Sequence, residues 1–281
     1  MTPLTRILWI VCTACLVLGT SGCAVNPLTG EEEPLFMSVE EELALGRQLA
    51  PEVEKELNGM IPDEALQRYV DRVGQQIARF SQRPDWEYRY VAVEDTMVNA
   101  MALPGGHVYI TRGLLEKMTS EAQLAGILAH ETVHVVARDS AVAMSKAKIL
   151  DYGLLAAAVS GRVEGGALRG AQLAGYFVML RYDRQDEEEA DLGGLDYMVA
   201  AGYNPQAMVD TMQMFQDLDK VRPIEFLSTH PSPDNRVRYL KEQISTKYPH
   251  SENLKVGKDE FKTTVLDYLK NHPKPKKRWE P

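Results

Sequence analysis

The stretch that most restricts this chain reads AGILAHETVHVVARDS, residues 125–140. It lies in a helix opening at Ser120, where Ser120 and Gln123 give a capping pattern. Leu124, Ile127, Leu128, Val135 and Val136 bracket its polar residues, which points the helix into the core. A buried histidine pair there needs a partner, because unpaired buried polar groups are costly. The fold must therefore bring some other segment against His130 and His134.

Residues i and i+4 of a helix share a face, so His130 and His134 reach one ion. Glu131 stands about 100° further round, off that coordination plane but within reach of a water beside the metal. Two histidine ligands and a glutamate base on one helix is the arrangement of zinc hydrolases. The bland alternative is an amphipathic helix whose histidines merely pack. A catalytic zinc takes three protein ligands and leaves one position open. The chain has three cysteines, Cys12, Cys15 and Cys23, all in or at the end of its leader. No thiolate site and no disulfide framework is therefore expected, and any metal falls to His, Asp or Glu.

The segment YDRQDEEEADLGG, residues 182–194, offers carboxylates. Its acidic run leads straight into Ala190, Leu192, Gly193, Gly194, Leu195, Met198 and Val199, an apolar helix face. Glu187, Glu188 and Glu189 are all candidates for the third ligand, and spacing does not choose among them.

HETVH followed by EEEAD resembles the HtpX-like and CAAX-prenyl-protease-like family of zinc metallopeptidases, peptidase family M48. The likeness extends over roughly residues 38–245 and is strongest to the compact lipoprotein branch. It implies an α+β, mostly helical, zincin-like domain with a small sheet beside the active-site helix. It implies one Zn2+ per chain on His130, His134 and Glu187, with Glu131 as the catalytic base. Asp191 would orient a ligand histidine, and Arg184 matches an arginine before the second motif. Asp183 stands where the family commonly has Ser. The segment NAMALPGGHVYITRGLL implies a substrate strand at Asn99, Ala100 and Met101, holding an extended peptide by strand addition. STHPSPDNR resembles a late His-Pro motif, in which His230 either blocks the open site or assists the transition state. The reading of activity is a zinc metalloendopeptidase acting on unfolded or misassembled proteins of the cell envelope. The competing reading is a zinc-binding chaperone or assembly lipoprotein with a latent site closed by His230.

The rest of the chain frames that domain. Arg6 precedes the apolar run Ile7–Gly19, which is too short to span a membrane comfortably. The LGTSGC that follows resembles a bacterial lipoprotein box, so residues 1–22 are expected to be a signal peptide and Cys23 the lipidated residue. Ala24 and Val25 follow, with no Asp, which favours the outer membrane and its periplasmic face. Residues 23–37 are expected to be a tether, 38–250 the peptidase domain, and 251–281 a loose basic tail. Helices are expected from Ser38 to about Asn58, over Asp63–Phe80, and around 171–200 and 205–219. Ile149–Val159 reads as a core helix and residues 161–170 as a glycine-rich mobile connection. Strands are expected over Trp86–Val93, Met97–Leu103 and His107–Arg112, the last two joined by Pro104-Gly105-Gly106. His107, His250 and His272 are expected on the surface. A net charge of -9 argues against nucleic acid as a partner.

Overall fold

A computed structural model describes residues 23–146, 182–221, 223–231 and 235–273. The signal segment, the expected core helix at 149–159 and the connection at 161–170 lie outside these residues. No described helix is long and apolar enough to cross a membrane.

Helix α1 (Val39–Glu56) starts at Ser38, whose hydroxyl accepts from Glu41 N while the Glu41 side chain accepts from Ser38 N. This is the capping box the sequence suggests. Helix α2 (Glu64–Ala78) is capped by Asp63 and buries Leu66, Tyr69, Val70, Val73 and Ile77 along one face. Three strands follow: β3 (Arg89–Val93), β4 (Ala100–Ala102) and β5 (His107–Thr111), after an N-terminal pair β1 (Cys23–Val25) and β2 (Glu32–Pro34). The sheet order is β3-β5-β4, with β5 parallel to β3 and antiparallel to β4. The β4–β5 turn uses Gly105 at φ 76 and Gly106 at φ 94, a region other residues avoid.

Side chains of α2 close the edge of β3. Tyr90 N donates to Asp71 Oδ1 (3.2 Å) and Ala92 N to Gln67 Oε1 (3.1 Å). Gln67 and Gln75 donate to the carbonyls of Ala92 and Tyr88, both at 2.7 Å. Positions 67, 71 and 75 lie one helical turn apart and so share a face. Such capping blocks a further strand on that side, and β4 forms the other edge.

Gly74 lets α2 sit this close, since a Cβ there would lie 2.1 Å from the Tyr90 ring. Gly74→Ala gains about 1 kcal/mol of helix propensity but overpacks a buried interface, at a cost of about 1–3 kcal/mol. A lowered melting temperature is expected, and a raised one would show that the interface gives way cheaply.

Helix α3 (Glu121–Ala137) runs through the centre, buried along its whole length. Helices α4 (Arg184–Ala200), α5 (Gln206–Asp219) and α6 (Arg236–Lys247) pack about it. Met208, Met212 and Phe215 of α5 are buried in the main core, as helix packing predicts.

Two terminal stretches depart from expectation. Residues 258–271 are not a loose tail but three helical turns, Lys258–Phe261, a π-turn Lys262–Leu266 and Asp267–Asn271. Phe261, Val265 and Leu269 recur every fourth residue and enter the core, a short period carried by only three residues in a largely polar stretch. The strand-like lead-in also serves α3: Gly257 O and Val256 O accept from Glu121 N and Ala122 N, two donors a helix start leaves open. Glu121 itself is buried, and burial would raise its pKa. Lys255, Tyr203 and Tyr69 bond its carboxylate and bring the pKa below the ordinary value instead.

Residues 23–37 are folded against the body. β1 and β2 pair antiparallel, Leu35 packs on Ala141 and Val142, and Asn26 Nδ2 donates to the Glu189 carboxylate at 3.0 Å. Pro, Gly and acidic residues suit a tether and a tight hairpin equally, which is why composition alone pointed to the former. Cys23 is exposed.

Candidate metal centre

Helix α4 carries the acidic motif to α3. Asp183 is its N-cap, accepting from Gln185 N and Asp186 N. Asp and Ser are near-equal in this role, which accounts for Asp at a place where Ser is common. Gly193 and Gly194 face Val133 and the backbone of His130, so the two helices approach closely. Glu187 and Asp191, one turn apart, then point at α3 and are fully buried.

His130 Nε2 and His134 Nε2 lie 3.2 Å apart. Glu187 Oε2 is 3.6 Å from His130 Nε2, and Glu187 Oε1 is 3.6 Å from His134 Nε2. His230 joins from the loop after a short helix (Glu225–Thr229), its Nδ1 2.7 Å from Glu187 Oε1 and 3.2 Å from His130 Nε2. All four offer ligand atoms within 4.8 Å of one another, and all are buried.

The far nitrogens are engaged as well. His130 Nδ1 faces Asp191 Oδ1 at 3.1 Å, and His134 Nδ1 faces Asp139 Oδ2 at 2.6 Å. A carboxylate on each Nδ1 fixes its proton there and leaves Nε2 a bare acceptor. Two such acceptors and a carboxylate facing one another make a donor set that a cation would satisfy. The donor spacing fits one: the edge of a tetrahedron with about 2.0–2.1 Å bonds is about 3.3 Å. The residues present therefore suit Zn2+.

Glu131 sits beside this cluster with neither carboxylate oxygen hydrogen-bonded among the described residues. Burial pushes its pKa up, with His130 and His134 opposing. His230 Nε2 is 3.5 Å away.

Arg236, the first residue of α6, fastens the carboxylates. Its Nε and Nη2 donate to Asp191 at 2.7 and 2.5 Å, and Nη1 to Glu187 at 2.9 Å. Tyr239 also bonds Asp191. Burial alone would raise the Asp191 pKa, but Arg236 and His130 outweigh it and hold the carboxyl at about 2. Tyr182 stacks on the His134 ring at 3.8 Å between centroids.

The structure thus gathers His130, Glu131, His134, Glu187, Asp191 and His230. Of the three adjacent glutamates, Glu188 is exposed and Glu189 bonds Asn26, so Glu187 alone enters the cluster. Arg184 is not brought there: at the first turn of α4 it points to solvent, and Arg236 takes the place beside the carboxylates. His107 is half-buried on β5, while His250 and His272 are exposed. Asn99, Ala100 and Met101 are buried where β4 passes α3. Thr111 N bonds Asn99 O and Leu103 N bonds His107 O. The alternation of a strand then turns the backbone of Ala100 and Ala102 away from β5.

Sequence reasoning missed Asp139, Tyr182 and Arg236. Arg236 closes the same STHPSPDNR stretch that drew attention to His230. Asp139 carried no signal, because helical spacing places it off the face of His134.

Comparison with known proteins agrees with this geometry. The sequence profile described as Peptidase family M48 matches residues 64–244. The chain is 27% identical over 238 residues to the beta-barrel assembly-enhancing protease of Yersinia pestis, covering 80% of this chain and 48% of that protein. It is 32% identical over 181 residues to the mitochondrial metalloendopeptidase OMA1 of Schizosaccharomyces pombe, covering 63% of this chain and 52% of that one. The Saccharomyces cerevisiae protein of the same name is 33% identical over 165 residues, covering 57% and 47%. The chain spans about half the length of the curated relatives it matches. With the matched region spanning both helices of the histidine–carboxylate cluster, this chain belongs to peptidase family M48, a family of zinc-dependent metalloproteases.

Proposed function

We propose that this chain is a zinc metalloendopeptidase of the bacterial cell envelope, cleaving unfolded or misassembled envelope proteins. One observation carries the reading: a carboxylate with no hydrogen-bond partner among the described residues, Glu131, buried against a donor set suited to zinc. An unsatisfied buried carboxylate is costly to a fold, and a purely structural metal site has no use for one.

His130, His134 and Glu187 hold the metal in this reading, and Asp191 orients His130. Zinc there supplies Lewis acidity, lowering the pKa of water and polarising a carbonyl. Glu131 takes the proton from the attacking water and returns it to the departing amine nitrogen. The edge of β4 at Asn99–Met101 aligns an extended peptide, since the opposite edge of the sheet is closed by α2. Backbone pairing of that kind recognises unfolded chain with little sequence preference. The envelope setting draws support from the lipoprotein-like leader, with Cys23 as the lipid-bearing residue on the periplasmic face of the outer membrane. It is consistent with relatives named for beta-barrel assembly.

The test is cleavage of an unfolded protein by the full chain in detergent, with and without a zinc chelator. Chelation is expected to abolish cleavage and one equivalent of zinc to restore it. Chelator-resistant cleavage would remove the metal from the mechanism.

The burial of all four cluster residues favours a second reading, a latent site closed by His230. Activity then scales with the fraction of open molecules. His230→Ala is expected to raise kcat/KM, up to about tenfold, at unchanged zinc content. A fall instead would assign His230 to the transition state. Zinc without cleavage in both forms would favour a chaperone or assembly factor.

A further inference from the structure

We propose that the buried Glu42–Arg138 ion pair is a positioning device for the metal centre, holding the backbone turn that aims Asp139 at His134. The inference rests on reading His134 as a metal ligand.

Asp139 follows His134 by five residues. On an unbroken helix that is about 500° of rotation, or about 140° from the His134 face. The carboxylate would point away. Instead α3 stops at Ala137, Arg138 adopts φ 68 and ψ 28, and helical residues resume at 139. This single left-handed residue brings Asp139 Oδ2 to 2.6 Å from His134 Nδ1.

Such a turn is unfavourable for arginine. Only Asn58 and Arg138 are non-glycine residues with positive φ among the described residues, and asparagine is a type that tolerates it. Glycine, the residue that ends many helices this way, is absent from the position. Something must hold Arg138 there, and its side chain shows what. Its Nε donates to Glu42 Oε2 at 2.6 Å, and its Nη2 to Met37 O at 2.9 Å. Glu42 is 1% exposed and Arg138 7%. Arg83 Nε donates to Val136 O at 3.0 Å, which secures the last turn of α3 from another side.

The chain of effects is short. Glu42 on α1 fixes the Arg138 side chain, which fixes the turn. The turn fixes Asp139, and Asp139 sets the tautomer and direction of His134. Glu42 is not among the cluster residues, and its hydrogen bond toward them runs through Arg138; its carboxylate also accepts from the Gly105 backbone. A bland alternative exists, in which the pair only ties α1 to the body, and it makes a different prediction.

Two double variants separate the alternatives: Glu42→Gln with Arg138→Gly, and Glu42→Gln with Arg138→Ala. Both lose the ion pair, but only alanine is penalised in the left-handed turn. Zinc affinity is read by competition with a chromophoric chelator. The His134 Nδ1–H proton resonance of the metal-free full chain gives a second reading of the bond to Asp139. The glycine form is expected to keep zinc affinity near the wild-type value and to keep the resonance. The alanine form is expected to bind zinc about tenfold more weakly, the lower end of what losing such a partner costs, and to lose the resonance. Equal affinities in the two forms, high or low, overturn the proposal. Should either fail to fold, Glu42→Gln alone serves, since it removes the charge opposite Arg138 at nearly unchanged side-chain volume. Weakened zinc binding is then expected, and wild-type affinity alongside a lowered melting temperature overturns the proposal. A wild-type chain that binds no zinc sinks the reading of the site, and this inference with it. Zinc bound equally by wild type and alanine form sinks this inference alone.

Discussion

Glu131→Gln is expected to leave zinc bound and to lower peptide cleavage about a thousandfold, within the range that a positioned general base contributes. The amide has nearly the shape of the carboxylate, so packing on α3 is little disturbed. The donor set is untouched, because Glu131 stands off the face shared by His130 and His134. What is lost is the ability to take a proton. The wild-type carboxylate is buried with both oxygens unpartnered among the described residues, so removing its charge should also relieve a desolvation penalty. The variant is therefore expected to melt at the same temperature as wild type or slightly above it. Loss of activity with unchanged zinc and undiminished stability is a signature that misfolding does not produce. Cleavage within about tenfold of wild type would show that another group serves as base, and His230 Nε2, 3.5 Å from Glu131 Oε1, would be the first to examine.

How much of this was legible in the sequence depends on the range of the interaction concerned. Ser38, Asp63 and Ser120 announce their helices because a cap and its helix lie within four residues. His130, Glu131 and His134 are legible for the same reason: one helix face encodes them. By spacing alone Glu187 was one of three equals, and the resemblance pointed to it; packing now shows why, since rotation about α4 sends Glu188 to solvent and Glu189 toward Asn26. Asp139 needed a left-handed turn at an arginine, which no local preference suggests. Arg184 stands near the acidic motif in sequence, whereas Arg236 is near it only in space. The capped start of α4 exposes the first, while α6 inserts the second. The C-terminal helices were hidden because Phe261, Val265 and Leu269 are interspersed with polar and charged residues, Lys262, Thr263, Thr264, Asp267 and Lys270. Their burial depends on a groove made by distant parts of the chain.

Arg236→Met is expected to destabilise the metal-free protein by about 3–5 kcal/mol, the cost of removing one member of a buried ion pair. Arg236, Asp191 and Glu187 are all fully buried, and the guanidinium fork spans both carboxylates. Methionine fills much of the volume but leaves the Asp191 and Glu187 carboxylates without the guanidinium, with the histidines and Tyr239 as their remaining partners. At roughly 2–4 °C per kcal/mol for a domain of this size, the melting temperature should fall by roughly 10 °C. Chelator is needed in the measurement, because a cation in the cluster would also offset Glu187. The pH dependence distinguishes charge from packing. In the wild type the Asp191 pKa is depressed to about 2 from an ordinary 3.8. A depressed carboxyl contributes stability that is present above pH 3.8 and lost as the pH falls through about 2. Without Arg236 burial dominates, the Asp191 pKa rises, and protonation relieves the variant at a pH where the wild type is still charged. The gap between the two proteins is therefore expected to be widest near neutrality and to narrow on acidification. A gap independent of pH would mean that Arg236 matters for its shape, and a loss under about 1 kcal/mol would mean that the pair only offsets its own desolvation.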